Sequence, residues 1–180
     1  MSKSIEERLR AIEDREELIK LKARYVNYND GGWQGPTHTN PGAVADLFTE
    51  DGVWDALPNA GYAKGRADIK AVFEKFQAFK FIVHYVTNPL IEVDGDTATG
   101  HWHALVVSTM PDDSALWILG LYDERYVRTE QGWKIKSLRF EAIVTAPYEL
   151  GWGKVMQQAL GSRSDVSLAP LLKSREKPQG

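Results

Sequence analysis

The stretch Phe81-Ile82-Val83-His84-Tyr85-Val86-Thr87-Asn88-Pro89-Leu90-Ile91-Glu92-Val93-Asp94-Gly95-Asp96 decides the fold. It reads as a strand that ends in an Asp-Gly turn and feeds a second strand, Thr97 to Met110, which is a strong hairpin signal. Two further runs of the same kind follow, Ala115–Arg128 and Gly132–Ala146, joined by Pro111-Asp112-Asp113-Ser114 and Glu130-Gln131-Gly132. Four long strands linked by turn chemistry make an antiparallel meander. Within the first strand one residue stands out. His84 lies among Phe, Ile, Val and Tyr, where an imidazole must find a hydrogen-bond partner. A core histidine with its bonds satisfied is one reading of it; a working acid or base is the other.

Upstream of the meander the periodicity is helical. Ser4-Ile5-Glu6-Glu7 has the form of a capping box. Ile5, Leu9 and Ile12, then Leu18, Leu21, Tyr25 and Tyr28, read as one apolar stripe. The helix stops at Asn29-Asp30-Gly31-Gly32, which puts Asp30 at its C-terminal end, electrostatically a poor place for a carboxylate. An ordinary turn aspartate is the bland alternative. Residues 31–42 read as a loop in which His38 is solvated. Ala43 to Phe48 reads as a short helix, Val53-Trp54-Asp55 as the beginning of a strand, Gly61 to Arg66 as a connection and Ala67 to Phe79 as a further helix with Ile69, Val72, Phe73 and Phe76 on one face. Helices first and a long meander second imply an α+β fold: three N-terminal helices packed on a cone-shaped, curved, mostly antiparallel sheet with an internal pocket. A single domain over residues 1–160 is expected. Gly151 to Leu160 reads as one more turn or short helix, and residues 161–180 as a flexible or subunit-contacting tail.

Composition narrows the function. The chain has 180 residues, 43% hydrophobic and 26% charged, as an ordinary globular domain does. A net charge of -3 gives no basic field for nucleic acid or anionic membrane. With no cysteine, disulfides, thiol nucleophiles and Cys-rich zinc sites are excluded. The N-terminus is charged rather than apolar and no apolar run reaches membrane-spanning length, so the cytoplasm is the expected location. His101-x-His103 alone is a weak metal pattern, so no metal and no cofactor are expected. Apolar residues on the outer faces of the long strands suggest a homo-oligomer.

Four pieces carry a family resemblance: Leu21-Lys22-Ala23-Arg24-Tyr25 with Asp30; Ala45-Asp46-Leu47-Phe48-Thr49-Glu50-Asp51-Gly52-Val53-Trp54; His84-Tyr85-Val86-Thr87-Asn88-Pro89; and Val93-Asp94-Gly95-Asp96-Thr97-Ala98-Thr99-Gly100. Together they resemble the SnoaL-like group of the nuclear-transport-factor-like superfamily, the cystatin-like α+β cone, over residues 5–148. The resemblance extends to bile-acid dehydratase and scytalone dehydratase. It implies an Asp-His dyad, Asp30 and His84, with Tyr25 as a third active-site group and Arg139 where the bile-acid enzyme has an arginine. It also implies a dimer or trimer. Alternation along Gly132–Ala146 agrees on Arg139, placing it on one face with Trp133, Ile135 and Ser137; an ion pair with Glu141 or Glu124 is the structural alternative. Three departures stand out. Scytalone dehydratase has a second histidine on the following strand, where this chain has His101 and His103 on one unassigned face. Val106 replaces an acidic residue of the bile-acid enzyme, and the loop Gly31–Pro41 is long.

The chemistry implied is elimination or isomerisation on a hydrophobic cyclic small molecule such as a steroid or polyketide, with His84 as acid or base and Asp30 fixing its tautomer. Trp54, Phe73, Phe76 and Trp102 would line the substrate, or be ordinary core. A non-catalytic binding module and the small subunit of a ring-hydroxylating oxygenase remain alternatives, because the fold hosts many functions.

Overall fold

The computed structural model describes residues 4–30 and 39–154. The expectations for His38, most of the 31–42 loop and the 161–180 tail lie outside the described residues. The elements are α1 (Ile5–Asn29), α2 (Pro41–Asp46), β1 (Phe48–Ala56), β2 (Gly61–Lys64), α3 (Arg66–Phe76), β3 (Phe81–Asp94), β4 (Thr97–Thr109), β5 (Ala115–Thr129), β6 (Gly132–Pro147) and α4 (Gly151–Lys154). The six strands form one curved, unclosed sheet in the order β2-β1-β6-β5-β4-β3. Every pairing is antiparallel except β1 with β6. Helix α1 packs across β3 and β6, while α2 and α3 pack on each other and on β1. The α+β architecture expected from the order of periodicities is therefore present.

Two expectations at the level of elements change. The segment read as a connection contains the edge strand β2, four residues long and paired with the end of β1. The apolar stripe of α1 is not continuous. Its buried positions are Asp14, Leu18, Leu21, Lys22, Tyr25 and Asn29, whereas Ile5, Leu9 and Ile12 are exposed. At 100° per residue these three lie roughly 120–180° around the helix from Leu18. The first half of α1 therefore shows its apolar residues to solvent, and the buried face of the second half is half polar.

Bulges decide which side chains face inward on the long strands. Across β3 and β4, Thr87 faces His103 and Leu90 faces His101, so β3 carries one extra residue at Asn88-Pro89. Asn88 takes the left-handed conformation that asparagine tolerates, with φ 54°. His84 and Val86 precede this bulge on the inner face, and Ile91 and Val93 follow it. On β6, Ile135 faces Tyr126 and Ser137 faces Arg125, so Lys136 is the extra residue. An extra residue inverts inside and outside for everything beyond it.

Candidate active site

The end of α1 and the beginning of β3 build one cluster. The capping box at Ser4 and Glu7 opens the helix as expected. At the other end Asp30 is the C-cap, in extended conformation, with its N–H donating to the Val26 carbonyl at 2.8 Å. Carbonyls left without partners at a helix end need donors. Here the Asn40 N–H bonds to the Tyr28 carbonyl at 2.7 Å, and the Thr39 hydroxyl bonds to the Asn29 carbonyl at 3.1 Å. The extended backbone at Asp30 turns its carboxylate away from the helix axis and onto β3.

There Asp30 Oδ1 accepts two hydrogen bonds from one residue. The His84 backbone N–H donates at 3.0 Å and the ring Nδ1 lies at 2.6 Å. Both side chains are buried, His84 at 6% and Asp30 at 2% exposure. A carboxylate only accepts, so Nδ1 carries the hydrogen and Nε2 is the ring's acceptor. The Asn29 amide nitrogen lies 3.3 Å from Nε2. Asn29 was not among the residues singled out from sequence, although it falls in phase with Leu18 and Tyr25 on the buried face of α1.

Tyr25 is also on that face and fully buried. Its hydroxyl accepts from Trp54 Nε1 at 3.0 Å, and its ring packs edge-on against Phe48, Phe73 and Tyr122. Burial pushes its hydroxyl well above the ordinary tyrosine range, and the negative charges of Glu124 and Asp30 add to the effect. Tyr25 is thus a neutral hydroxyl in the field of Asp30. Trp54, Phe73 and Phe76 form a chain of edge-to-face contacts, with ring centroids 5.4 Å apart for Trp54–Phe73 and 5.3 Å for Phe73–Phe76. Trp54 and Phe73 are buried and Phe76 is partly buried, so this part of the expected lining is packed core.

Trp102 belongs to a second inner cluster that the sequence did not reveal. Its Nε1 donates to the Tyr126 hydroxyl at 3.2 Å, Tyr126 donates to Glu124, and Glu124 pairs with Lys22. Lys22 and Glu124 have 2% and 0% side-chain exposure. The Lys22 ammonium lies 3.3 Å from the centre of the Tyr122 ring and 4.7 Å from that of Tyr25. Burial lowers the Lys22 ammonium to about 8, against the opposing charge and hydrogen bond of Glu124. A glycine makes room for the cluster: a Cβ on Gly100 would lie 2.9 Å from the Tyr126 ring and 3.0 Å from Trp102 Nε1. The only advance signal was the phase of Lys22 between Leu18 and Tyr25.

Arg139 is corrected. The bulge at Lys136 puts Leu138, not Arg139, on the inner face with Trp133 and Ile135. The Arg139 side chain is 61% exposed, and its nearest carboxylate is Glu141, at 3.9 Å. It lines an outer-face groove of about 590 Å³ with Asp55, His101, Asp123 and Arg125. The open question about β4 is settled by the same face: His101 pairs with Asp123 and His103 contacts Asn88, both exposed. Val106 is the inward residue that faces His84 across the β3–β4 pair. Among the described residues no three His, Asp or Glu side chains converge to hold a metal ion, and no helix is long and apolar enough to cross a membrane.

Comparison with known proteins places this architecture. The SnoaL-like domain model matches residues 10–139. The chain belongs to the SnoaL-like family. Solved structures of the NTF2-like, cystatin-like fold align with it. A candidate aromatic ring hydroxylase from Novosphingobium aromaticivorans is 28% identical with a TM-score of 0.68, over 76% of this chain and 94% of that one. A candidate scytalone dehydratase from the same species is 20% identical with a TM-score of 0.68, over 85% and 97%. Hexachlorocyclohexane dehydrochlorinase LinA-type3 from Novosphingobium barchaimii is 20% identical with a TM-score of 0.68, over 77% and 92%. At 20% identity the last two likenesses establish the fold. No curated protein matches the chain.

Proposed function

We propose that this SnoaL-like protein is a cofactor-independent lyase or isomerase of dehydratase type, acting on a hydrophobic cyclic small molecule. The observation that carries the reading is the buried 2.6 Å contact between His84 Nδ1 and Asp30 Oδ1, two residues 54 positions apart. The Asp30 carboxylate holds the ring with Nε2 as its basic nitrogen. When Nε2 takes a proton from a carbon beside an activating group, the carboxylate at Nδ1 balances the new positive charge. The same Nε2–H can then protonate a departing hydroxide, whereas a departing halide needs no proton. Tyr25, neutral and in the field of Asp30, can donate to a substrate oxygen once its own contacts rearrange. The scytalone dehydratase and dehydrochlorinase names of the structural neighbours are both names of eliminations, which supports the choice of reaction class.

The reading includes a homo-oligomer, a dimer or trimer, in the cytoplasm. The exposed Tyr85, Leu90 and Leu121 on the outer face of the sheet support a second copy there. A second reading, the small subunit of a ring-hydroxylating oxygenase, is favoured by the name of the 28% identical neighbour. The test is a panel of cyclic compounds carrying a hydroxyl or halide β to a carbonyl, with products read by mass spectrometry. Turnover that survives chelator, and that His84→Ala reduces by about 100-fold or more, is expected. Turnover unaffected by His84→Ala would remove the dyad from the chemistry. Activity only in complex with a large iron-containing subunit would favour the second reading.

A further inference from the structure

Asn29 is the last residue of α1 and is 4% exposed. Its two polar atoms are in unequal circumstances. Nδ2 lies 3.3 Å from His84 Nε2, while Oδ1 is buried with no hydrogen-bond partner among the described residues. A buried acceptor left unpaired is unfavourable, so this orientation is not the best one for every state of the site. With Nδ1–H given to Asp30, the neutral ring offers a lone pair at Nε2 and Asn29 Nδ2–H donates to it. Once Nε2 carries a proton, that arrangement sets donor against donor. A half-turn about the Asn29 Cβ–Cγ bond brings Oδ1 to the same place with almost no change of shape. Oδ1 then accepts a charge-assisted bond from Nε2–H, stronger than the neutral bond it replaces.

The surroundings leave this role to Asn29. Among the described residues, the charged group facing His84 is Asp30. The Asp30 charge raises the hydroxyls of Tyr25 and Tyr122, from α1 and β5, and Lys22 with Glu124 lies beyond the Tyr25 ring. Opposite on β4, the inner face presents Ala104, Val106 and Ser108. Ala104 and Val106 offer no polar side-chain atom, and the Ser108 hydroxyl has no hydrogen-bond partner among the described residues.

We infer that Asn29 is a positioning residue whose amide turns with the protonation of His84, donating to Nε2 of the neutral ring and accepting from Nε2–H of the imidazolium. The inference rests on the acid–base role proposed for the dyad and deepens it. At 3.3 Å the resting contact is long, so a substrate atom that needs Nε2 displaces a weak bond.

The experiment is NMR titration of the His84 imidazole in the full-length protein, wild type against Asn29→Leu. A turning amide favours the imidazolium, so its loss moves the His84 midpoint down, by about half to one pH unit. Asn29→Asp, which keeps an acceptor, moves it up. A midpoint that rises in Asn29→Leu means that the amide only donates; an unchanged midpoint means that it is uncoupled. Either overturns the inference. If Asn29→Leu does not fold, the Asn29 Nδ2 protons of the wild-type protein are followed instead. They shift across the His84 titration if the amide turns, and absence of a shift overturns the inference. Turnover enters neither measurement, so inactivity on every substrate counts against the lyase reading alone.

Discussion

Helix α1 carries two buried polar clusters, and they are built on opposite plans. Around Lys22 the bonding is closed: Lys22 pairs with Glu124, Tyr126 donates to Glu124, and Trp102 donates to Tyr126. At Asn29, Asp30 and His84 the bonding is open: among the described residues one amide oxygen has no partner, and the accepting ring nitrogen has one hydrogen-bond contact, at 3.3 Å. A closed network rigidifies and specifies a core, because each group would be costly to leave unpaired. An open one retains the capacity to bind or exchange a proton. Burial is similar in both, so it is the degree of satisfaction that separates a structural cluster from a working one.

The comparison can be broken most sharply at one charged residue of each cluster. Asp30→Asn keeps an acceptor for the His84 backbone and ring, and loses the charge that balances the imidazolium. Turnover is expected to fall by roughly 100- to 10,000-fold with the unfolding midpoint almost unmoved. A comparable loss of folding stability, seen by urea denaturation, would mean that the dyad is as structural as the Lys22 cluster. At the other cluster, Lys22→Met leaves Glu124 buried without its counter-charge, with Tyr126 still donating to it. A loss of about 3–5 kcal/mol in urea denaturation is expected, with Lys22→Met/Glu124→Gln recovering much of it. A single variant as stable as the wild type would show that the closed plan contributes no stability.

The pH dependence of folding sharpens the same point. Burial holds the Lys22 ammonium down at about 8, below the ordinary lysine value of 10.5. Between those values the unfolded chain holds the proton and the native state does not, so this group makes stability rise with pH. The rise should be visible from about pH 8 to about 10, where the unfolded tyrosines begin to ionise and oppose it. Lys22→Met should flatten it; an unchanged slope would assign the effect elsewhere. The smallest effect is expected for Arg139→Ala. The residue is exposed on the outer face, so turnover should stay within about twofold and stability within about 0.5 kcal/mol. A large loss of turnover would return Arg139 to the site and demand a rearranged β6.

Much of the fold was legible. The Asp94-Gly95 hairpin, the end of α1 at Asn29 and the alternation along β4, though not which of its faces is inward, all rest on local chemistry, which a single sequence carries. Asp30 and His84 could be named as partners only through a family resemblance, since nothing local joins a helix end to a strand that follows it by 54 residues. The misplacement of Arg139 has a definite cause. Alternation sets a period of two, but one bulge residue, Lys136, resets the phase.

What the sequence determined by itself was therefore the elements other than the edge strand β2, their order and the residues able to do acid–base work. Tertiary structure decided which of those residues meet. It turned His101 and His103 outward, closed Lys22 against Glu124, and set the Asn29 amide at the basic nitrogen of His84. The physical reason is that periodicity is a property of one segment, whereas the sign of a face and the partner of a buried charge are properties of two segments brought together.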